Sequence, residues 1–153
     1  MPRSVRDRAD VRTVIAMTTA TLSTVNSAVG EALHAEWTVY RSLLDDDHSW
    51  VGDALPPVIE AAFVTPELRA LFPFTSLNRL CFSRCSHFPY TDDCSCIAAW
   101  PGKYIVQAWW AATDEPPPEL VRTTDLDLAI RTVIDNLPPD RAAWLGDRDH
   151  PPD

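Results

Sequence analysis

The four cysteines carry the most distinctive chemistry in the sequence. They follow the spacing C-x3-C-x8-C-x-C, at Cys81, Cys85, Cys94 and Cys96. Structural zinc sites use pairs of ligands about two to four residues apart, whereas the last pair here is separated by a single residue. On one strand, Cys81 and Cys85 would lie about 13 Å apart, too far to share a metal ion. We therefore predict neither a metal nor another cofactor.

Three alternatives for these thiols stay open. A metal ion, if bound, would take the compact set of Cys85, Cys94 and Cys96, with His87 or Asp92 as the fourth ligand. A Cys85–Cys94 disulfide or redox pair is the second alternative, and ordinary buried thiols are the third.

A cation, an imidazole and a phenol lie close together where a predicted strand ending at Cys85 runs into a loop. Arg84 stands out in a chain with few cations, and a guanidinium binds carboxylate or phosphate in a bidentate manner. His87 supplies a group that titrates near neutral pH, and Tyr90 supplies a hydroxyl. We take Arg84, His87 and Tyr90 as candidate catalytic residues that act on an anionic molecule.

Candidate ligand-binding residues surround this loop. Thr75 and Ser76 offer hydroxyls, Arg84 offers charge, and Trp109 offers a stacking wall. The competing interpretation is structural: Tyr90 fills the core and Arg84 pairs with one of three acids, Glu60, Glu67 or Asp92.

The composition excludes several classes of function. The chain has 153 residues, with 13 Lys and Arg against 22 Asp and Glu, a net charge of −9. Such a surface repels nucleic acid, and a chain with 4 glycines has no glycine-rich phosphate loop. The uncharged run over residues 13–30 is interrupted by hydroxyl and amide side chains, so we predict no signal peptide and no membrane span. We expect a cytoplasmic protein.

The patterns that position these residues begin with helices. Leu33, Trp37 and Tyr40 share one face of a helix predicted over about residues 27–44. Pro56-Pro57 opens a second helix, and Thr65 caps a third that ends at Pro73.

Strands follow the helices. They are predicted over Leu80–Cys85, Cys96–Trp100 and Lys103–Ala111, and the last two form a hairpin around Pro101-Gly102. In this hairpin Tyr104, Val106 and Trp110 share one face. Pro116–Pro118 reads as an extended connector, after which Thr124 caps a last helix.

The fold class is therefore α+β, with N-terminal helices, a small antiparallel sheet over about residues 77–112 and a C-terminal helix packed on it. Residues 1–26 are an N-terminal arm or frayed helix, residues 27–139 a single domain, and residues 140–153 a charged tail. Within the tail, Trp144 and Leu145 are able to dock on the domain.

Segments around the first strand resemble a known group of proteins. The string Phe72-Pro73-Phe74-Thr75-Ser76, followed by Phe82-Ser83-Arg84 and Phe88-Pro89-Tyr90, resembles a family of small actinobacterial natural-product biosynthesis proteins of unknown function. The resemblance covers roughly residues 32–145. It implies a context of secondary metabolism and no role for any side chain.

Two functions follow as hypotheses, with a third that depends on the cysteines alone. The first is an accessory or tailoring enzyme that acts on a small anionic or carboxylate-bearing intermediate. The second is a non-catalytic binding or scaffold protein for a biosynthetic enzyme, with a homo-oligomer left open. The third is a small zinc-binding structural protein.

Overall fold

The computed structural model describes residues 26–42, 53–109 and 115–153. Four helices are present in these ranges: α1 (residues 26–42), α2 (Leu55–Phe63), α3 (Pro66–Arg69) and α4 (Leu126–Asp135). Five strands accompany them: β1 (Phe72–Ser76), β2 (Arg79–Ser83), β3 (Cys96–Trp100), β4 (Lys103–Gln107) and β5 (Glu119–Thr123). Two predictions lie outside the described residues, namely the N-terminal arm up to residue 25 and the position of Trp110.

The strands form one sheet in the order β1-β2-β3-β4-β5, and every neighbouring pair is antiparallel. With helices before and after this sheet, the predicted α+β class is confirmed. The predicted hairpin is present as well, because Trp100 pairs with Lys103 and Gly102 adopts the positive φ of 69° that the turn requires. No helix in the described ranges is long and apolar enough to cross a membrane.

Both faces of the sheet are buried, and each face carries a different set of side chains. We call the face under α2 and α4 the core face. Its buried residues include Leu80, Phe82, Ile97 and Val106, packed with Val58 and Ile59 of α2 and with Ala129 and Val133 of α4. We call the opposite face the thiol face; there Phe74, Cys81 and Cys96 form a separate cluster against Tyr40 and Tyr90.

Trp37 fixes α1 to the rest of the fold. Its side chain is fully buried, and its indole Nε1 donates to the carbonyl of Arg69 at 3.1 Å and to that of Leu71 at 3.0 Å. Its ring also packs against Phe63, with the centroids 5.9 Å apart. Helix α1 is therefore held where α3 leads into β1.

Two strands differ from the predicted pattern. The third helix ends at Arg69, and Phe72–Ser76 form β1 instead of a helix end. Pro73 is tolerated there because β1 is an edge strand, where one side of the backbone needs no partner. After the proline connector the chain enters β5 directly, at the other edge. Only Val121 of β5 packs on the core, so its sequence carries almost no alternation.

The cap of α4 also differs from the prediction. Asp125, and not Thr124, is the N-cap residue. Its carboxylate accepts from the backbone N–H of Asp127 at 3.0 Å and of Leu128 at 3.3 Å. A carboxylate at this position also interacts favourably with the helix dipole, which explains why it takes the place of the neighbouring hydroxyl.

Candidate functional site

The C-terminal segment, residues 136–153, docks onto the loop that follows β2, residues 84–95. Trp144 and Cys85 form a parallel β-bridge, in which the N–H of Trp144 donates to the carbonyl of Arg84 at 2.8 Å and the N–H of Ser86 donates to that of Trp144 at 3.2 Å. Further along, the N–H of His87 donates to Gly146 and that of Arg148 to Pro89. The segment thus forms one wall of a site with the loop as the other.

Within this segment the two residues expected to dock behave differently. Trp144 is buried, with 8% of its surface exposed, whereas Leu145 is 48% exposed. The indole Nε1 of Trp144 donates to the carbonyl of Asp147 at 3.0 Å. Its docking places the charged residues after Trp144 beside the loop.

Arg84 lies at the centre of this arrangement, and its guanidinium is ion-paired with carboxylates. Its guanidinium contacts Asp93 at 2.6 and 2.9 Å and Asp140 at 3.4 Å, and it lies 5.1 Å from the ring centre of Trp144. Only 19% of the Arg84 side chain is exposed. Arg84 is therefore part of an ion-pair network that joins the loop to the C-terminal segment.

The partners differ from those that the structural interpretation named. Glu60 pairs with Arg41 at 2.8 Å, and Asp92 lies 3.7 Å from Arg148. Arg84 therefore pairs with a different acid of the same loop, Asp93, and with Asp140 of the segment that follows α4.

A cavity of about 460 Å³ opens between the loop and the C-terminal segment. We call it the C-terminal pocket. It is lined chiefly by charged side chains and one indole: Arg84, Asp92, Asp93, Trp144, Arg148 and Asp149. Of the predicted site residues, Arg84 lines it.

His87 and Tyr90 lie outside the lining of this pocket. His87 is exposed, and its Nδ1 lies 2.7 Å from the hydroxyl of Ser86. Tyr90 stacks on Phe74, with ring centroids 4.2 Å apart. Burial raises the pKa of the Tyr90 phenol, and the nearby charge of Glu36 raises it further. Tyr90 thus packs on the thiol face as a neutral side chain.

The predicted ligand-binding residues are also spread apart. Thr75 lies beside the Tyr40 phenol at the edge of the sheet, and Ser76 is half-buried at the end of β1. Trp109 follows β4 and is 40% exposed. None of these three lines the C-terminal pocket.

A second cavity, of about 380 Å³, lies between α1, α2 and α3. Its lining includes Leu33, His34, Trp37, Phe63 and Arg69. It contains none of the predicted site residues.

The four thiols are free and buried. Cys85 shares a hydrogen bond of 3.3 Å with the hydroxyl of Ser83. Cys94 lies 3.7 Å from a carboxylate oxygen of Asp93, and burial together with that charge raises the pKa of its thiol to about 12. Among the residues that the structure describes, no three His, Cys, Asp or Glu side chains are arranged to hold a metal ion.

The sequence patterns do not predict one cluster of polar side chains and thiols on the thiol face. Cys81 and Cys96 lie together in this cluster. The Cys96 thiol donates to the carbonyl of Trp109 at 3.9 Å and to the amide oxygen of Gln107 at 3.8 Å. The same oxygen accepts from Nε of Arg79 at 2.7 Å. Strand alternation already places Arg79 and Cys81 on one face, but the register that brings Cys96 beside them depends on the path of the long β2–β3 loop.

The comparison with protein families gives one match. A family described as "Family of unknown function (DUF6193)" matches residues 31–144. No curated protein and no solved structure matches the chain. The matched segment includes Arg84 and Trp144, and it ends before Arg148 and Asp149, which complete the C-terminal pocket.

Proposed function

Since the chain belongs to the DUF6193 family, whose function is unknown, we propose from its own geometry that it binds a small carboxylate-bearing molecule in the C-terminal pocket. The ligand we propose also carries an amino group, so that it is a compact zwitterion of the amino-acid type. The single observation that carries this proposal is that a loosely held cation, Arg148, and two exposed acids line one cavity.

The two arginines of the pocket differ in how firmly their charge is held. Arg84 contacts Asp93 at 2.6 Å, so its guanidinium is already satisfied. Arg148 lies 3.7 Å from Asp92 and 3.9 Å from Asp149, beyond ordinary hydrogen-bond length, and 45% of its side chain is exposed. Such exposed pairs contribute about 0–1 kcal/mol each, so a ligand displaces them at low cost.

A zwitterion replaces both halves of these pairs at once. Its carboxylate takes the guanidinium of Arg148 in a bidentate contact, and its ammonium takes the place of that guanidinium beside Asp92 and Asp149. A ligand with a carboxylate alone leaves the two acids without a cation. It is also repelled by a chain of net charge −9, whereas a neutral zwitterion is not.

The size and walls of the pocket suit a compact molecule. Small-molecule sites have volumes of about 300–1,000 Å³, and this cavity has about 460 Å³. The indole of Trp144, held in place by Arg84, supplies an apolar wall for the rest of the ligand.

The lining favours binding over turnover. Asp92, Asp93 and Asp149 are its acids, and neither a thiol nor an imidazole is among its lining residues in the part of the chain that the structure describes. We therefore propose an accessory, ligand-binding protein. The resemblance to natural-product biosynthesis proteins supports the further proposal that the ligand is an intermediate of secondary metabolism.

Calorimetry with matched probes tests the proposal. The first set of probes is phenylalanine, its deaminated analogue phenylpropionate and its decarboxylated analogue phenethylamine. Each of the other amino acids is tested in the same way, beside its own deaminated and decarboxylated analogues. We expect at least one zwitterion to bind, and both of its one-charge analogues to bind more weakly. Because a charge-assisted contact is worth about 1.5–3 kcal/mol, Arg148→Gln weakens binding by about 10- to 150-fold.

Arg131→Gln is the matched control. Arg131 is an exposed arginine of α4 outside the pocket lining, so its loss leaves the affinity unchanged. Equal affinity for a zwitterion and its one-charge analogues would contradict the proposal, and so would equal losses in both arginine variants.

A further inference from the structure

Cys81 of β2 and Cys96 of β3 lie in one buried cluster on the thiol face. The register pairs Arg79 with Ala98 and Leu80 with Ile97, and the same register carried one step beyond this last pair places Cys81 opposite Cys96. Both thiols are buried, with 0% and 1% of their surfaces exposed.

The hydrogen-bond pattern shows which kind of cross-strand pair this is. The N–H of Ala99 donates to the carbonyl of Asn78 at 2.9 Å, which marks Asn78 and Ala99 as a hydrogen-bonded pair. Because such pairs alternate along an antiparallel ladder, Leu80 with Ile97 is hydrogen-bonded and Cys81 with Cys96 is not. In a non-hydrogen-bonded pair the Cα atoms lie about 4.5 Å apart, within the range of about 4.4–6.8 Å that disulfides span.

The two thiols of the pair differ in acidity. The interaction with Cys81 lowers the pKa of the Cys96 thiol, burial raises it, and the charge of Arg79 lowers it, with a net lowering. Burial raises the pKa of Cys81, which therefore stays a thiol. Cys94 differs, because burial and the carboxylate of Asp93 raise the pKa of its thiol.

We propose that Cys81 and Cys96 are a redox-active dithiol, which a peroxide oxidises to a reversible disulfide between β2 and β3. The proposal rests on their direct cross-strand placement and is independent of the proposed ligand. Because both thiols are buried, the oxidant must be small, and hydrogen peroxide is close to water in size.

The chemistry balances in two steps. The Cys96 thiolate attacks one oxygen of hydrogen peroxide, the O–O bond breaks, and the products are a Cys96 sulfenic acid and hydroxide. The Cys81 sulfur then attacks the Cys96 sulfur, the S–O bond breaks, and the Cys81 proton leaves with the hydroxyl as water. Two thiols are oxidised by two electrons and one peroxide is reduced. An added dithiol such as dithiothreitol reverses the change by thiol–disulfide exchange.

Tryptic mapping distinguishes this disulfide from the alternatives. Cleavage after Arg79, Arg84 and Lys103 leaves Cys81 in residues 80–84, and the other three cysteines together in residues 85–103. After peroxide treatment and mapping without reductant, we expect the two peptides to be linked. We expect the link to vanish with dithiothreitol, and to persist in the double variant Cys85→Ala, Cys94→Ala.

Cys96→Ala must abolish the link. The double variant keeps both thiols of the pair, so the proposal is testable even where Cys96→Ala fails to fold. A bond internal to residues 85–103, a sulfinic acid on Cys96 beside an unmodified Cys81, or four unmodified thiols after peroxide treatment would each overturn the proposal.

Discussion

The guanidinium of Arg84 lies 2.6 Å from the carboxylate of Asp93 and 5.1 Å from the ring centre of Trp144. These contacts join the end of β2, the loop that follows it and the C-terminal segment. Arg84 therefore builds the wall of the C-terminal pocket, whereas Arg148 is the cation that a ligand meets.

Loss of Arg84 should destabilise the fold. Arg84→Met leaves the partly buried carboxylate of Asp93 without its cation, and we expect a loss of about 1.5–3 kcal/mol in the free energy of unfolding, measured with urea. Arg122→Met is the control, because its pair with Glu119 is exposed on both sides and its loss should destabilise the fold less. Equal stability losses in the two variants would contradict the structural role of Arg84.

Trp144 should hold the C-terminal segment against the loop. Trp144→Ala removes a buried indole, and we expect a loss of about 3–5 kcal/mol if the vacated site does not close. Hydrogen exchange at the amides of Ser86, His87 and Arg148 should accelerate, since their partners lie across the interface. Trp100→Ala, at a tryptophan that is 40% exposed, serves as the control. Unchanged exchange at these amides would show that the segment docks without Trp144.

The pair Asp147 and His150 should make the end of the chain sensitive to pH. The hydrogen bond between them, 2.7 Å long, raises the pKa of His150 above its ordinary 6.5 and lowers that of Asp147 below 3.8. The stability that His150 contributes to the folded state is fully present below pH 6.5 and is lost as pH rises through its raised pKa. The stability that Asp147 contributes is present above pH 3.8 and is lost as pH falls through its lowered pKa.

An NMR titration of the His150 ring measures the first of these effects. Asp147→Asn should bring its pKa back towards the ordinary value. Asp149→Asn should lower it less, because Asp149 acts on His150 through its charge alone. A His150 pKa that does not respond to Asp147→Asn would rule out the pair in solution.

The oxidised form should be more stable than the reduced form. In the chain-entropy model, a disulfide that closes a loop of about 15 residues stabilises the folded state by about 3 kcal/mol. A disulfide between Cys81 and Cys96 closes a loop of similar length. Urea unfolding of peroxide-treated protein, with and without dithiothreitol, measures the difference. An oxidised form that carries the Cys81–Cys96 bond and unfolds at lower urea would mean that the bond distorts the strands.

The sequence allows the fold class and the central hairpin to be predicted, because both depend on local patterns. Pro101-Gly102 fits the two central positions of a type II turn, and the apolar residues from Tyr104 to Val106 indicate a strand that is buried on both faces. The edge strands were missed for a physical reason. Pro73 ends a helix but is equally acceptable on an edge strand, and β5 turns only Val121 towards the core.

The site was predictable only in part. Arg84 and its loop carry an unusual concentration of charge, which the sequence displays. The docking of Trp144 on Cys85 depends on a contact between segments some sixty residues apart, as the 60-residue separation of the Ser86–Gly146 hydrogen bond shows. The periodicity of apolar residues indicates local helices and strands, but it does not indicate a contact between such distant segments. For the same reason the roles of Arg148 and Asp149 became visible only in the folded chain.

The indole signal of Trp144 tests the central claim most directly. A titration with a binding zwitterion, followed by proton–nitrogen NMR, should shift the Nε1 signal of Trp144, assigned through Trp144→Phe. The signal of Trp37, which lines the second cavity, should stay in place. The shift should disappear in Arg148→Gln and persist in Arg131→Gln. A ligand that binds and moves the Trp37 signal while leaving that of Trp144 unchanged would contradict the assignment of the ligand site to the C-terminal pocket.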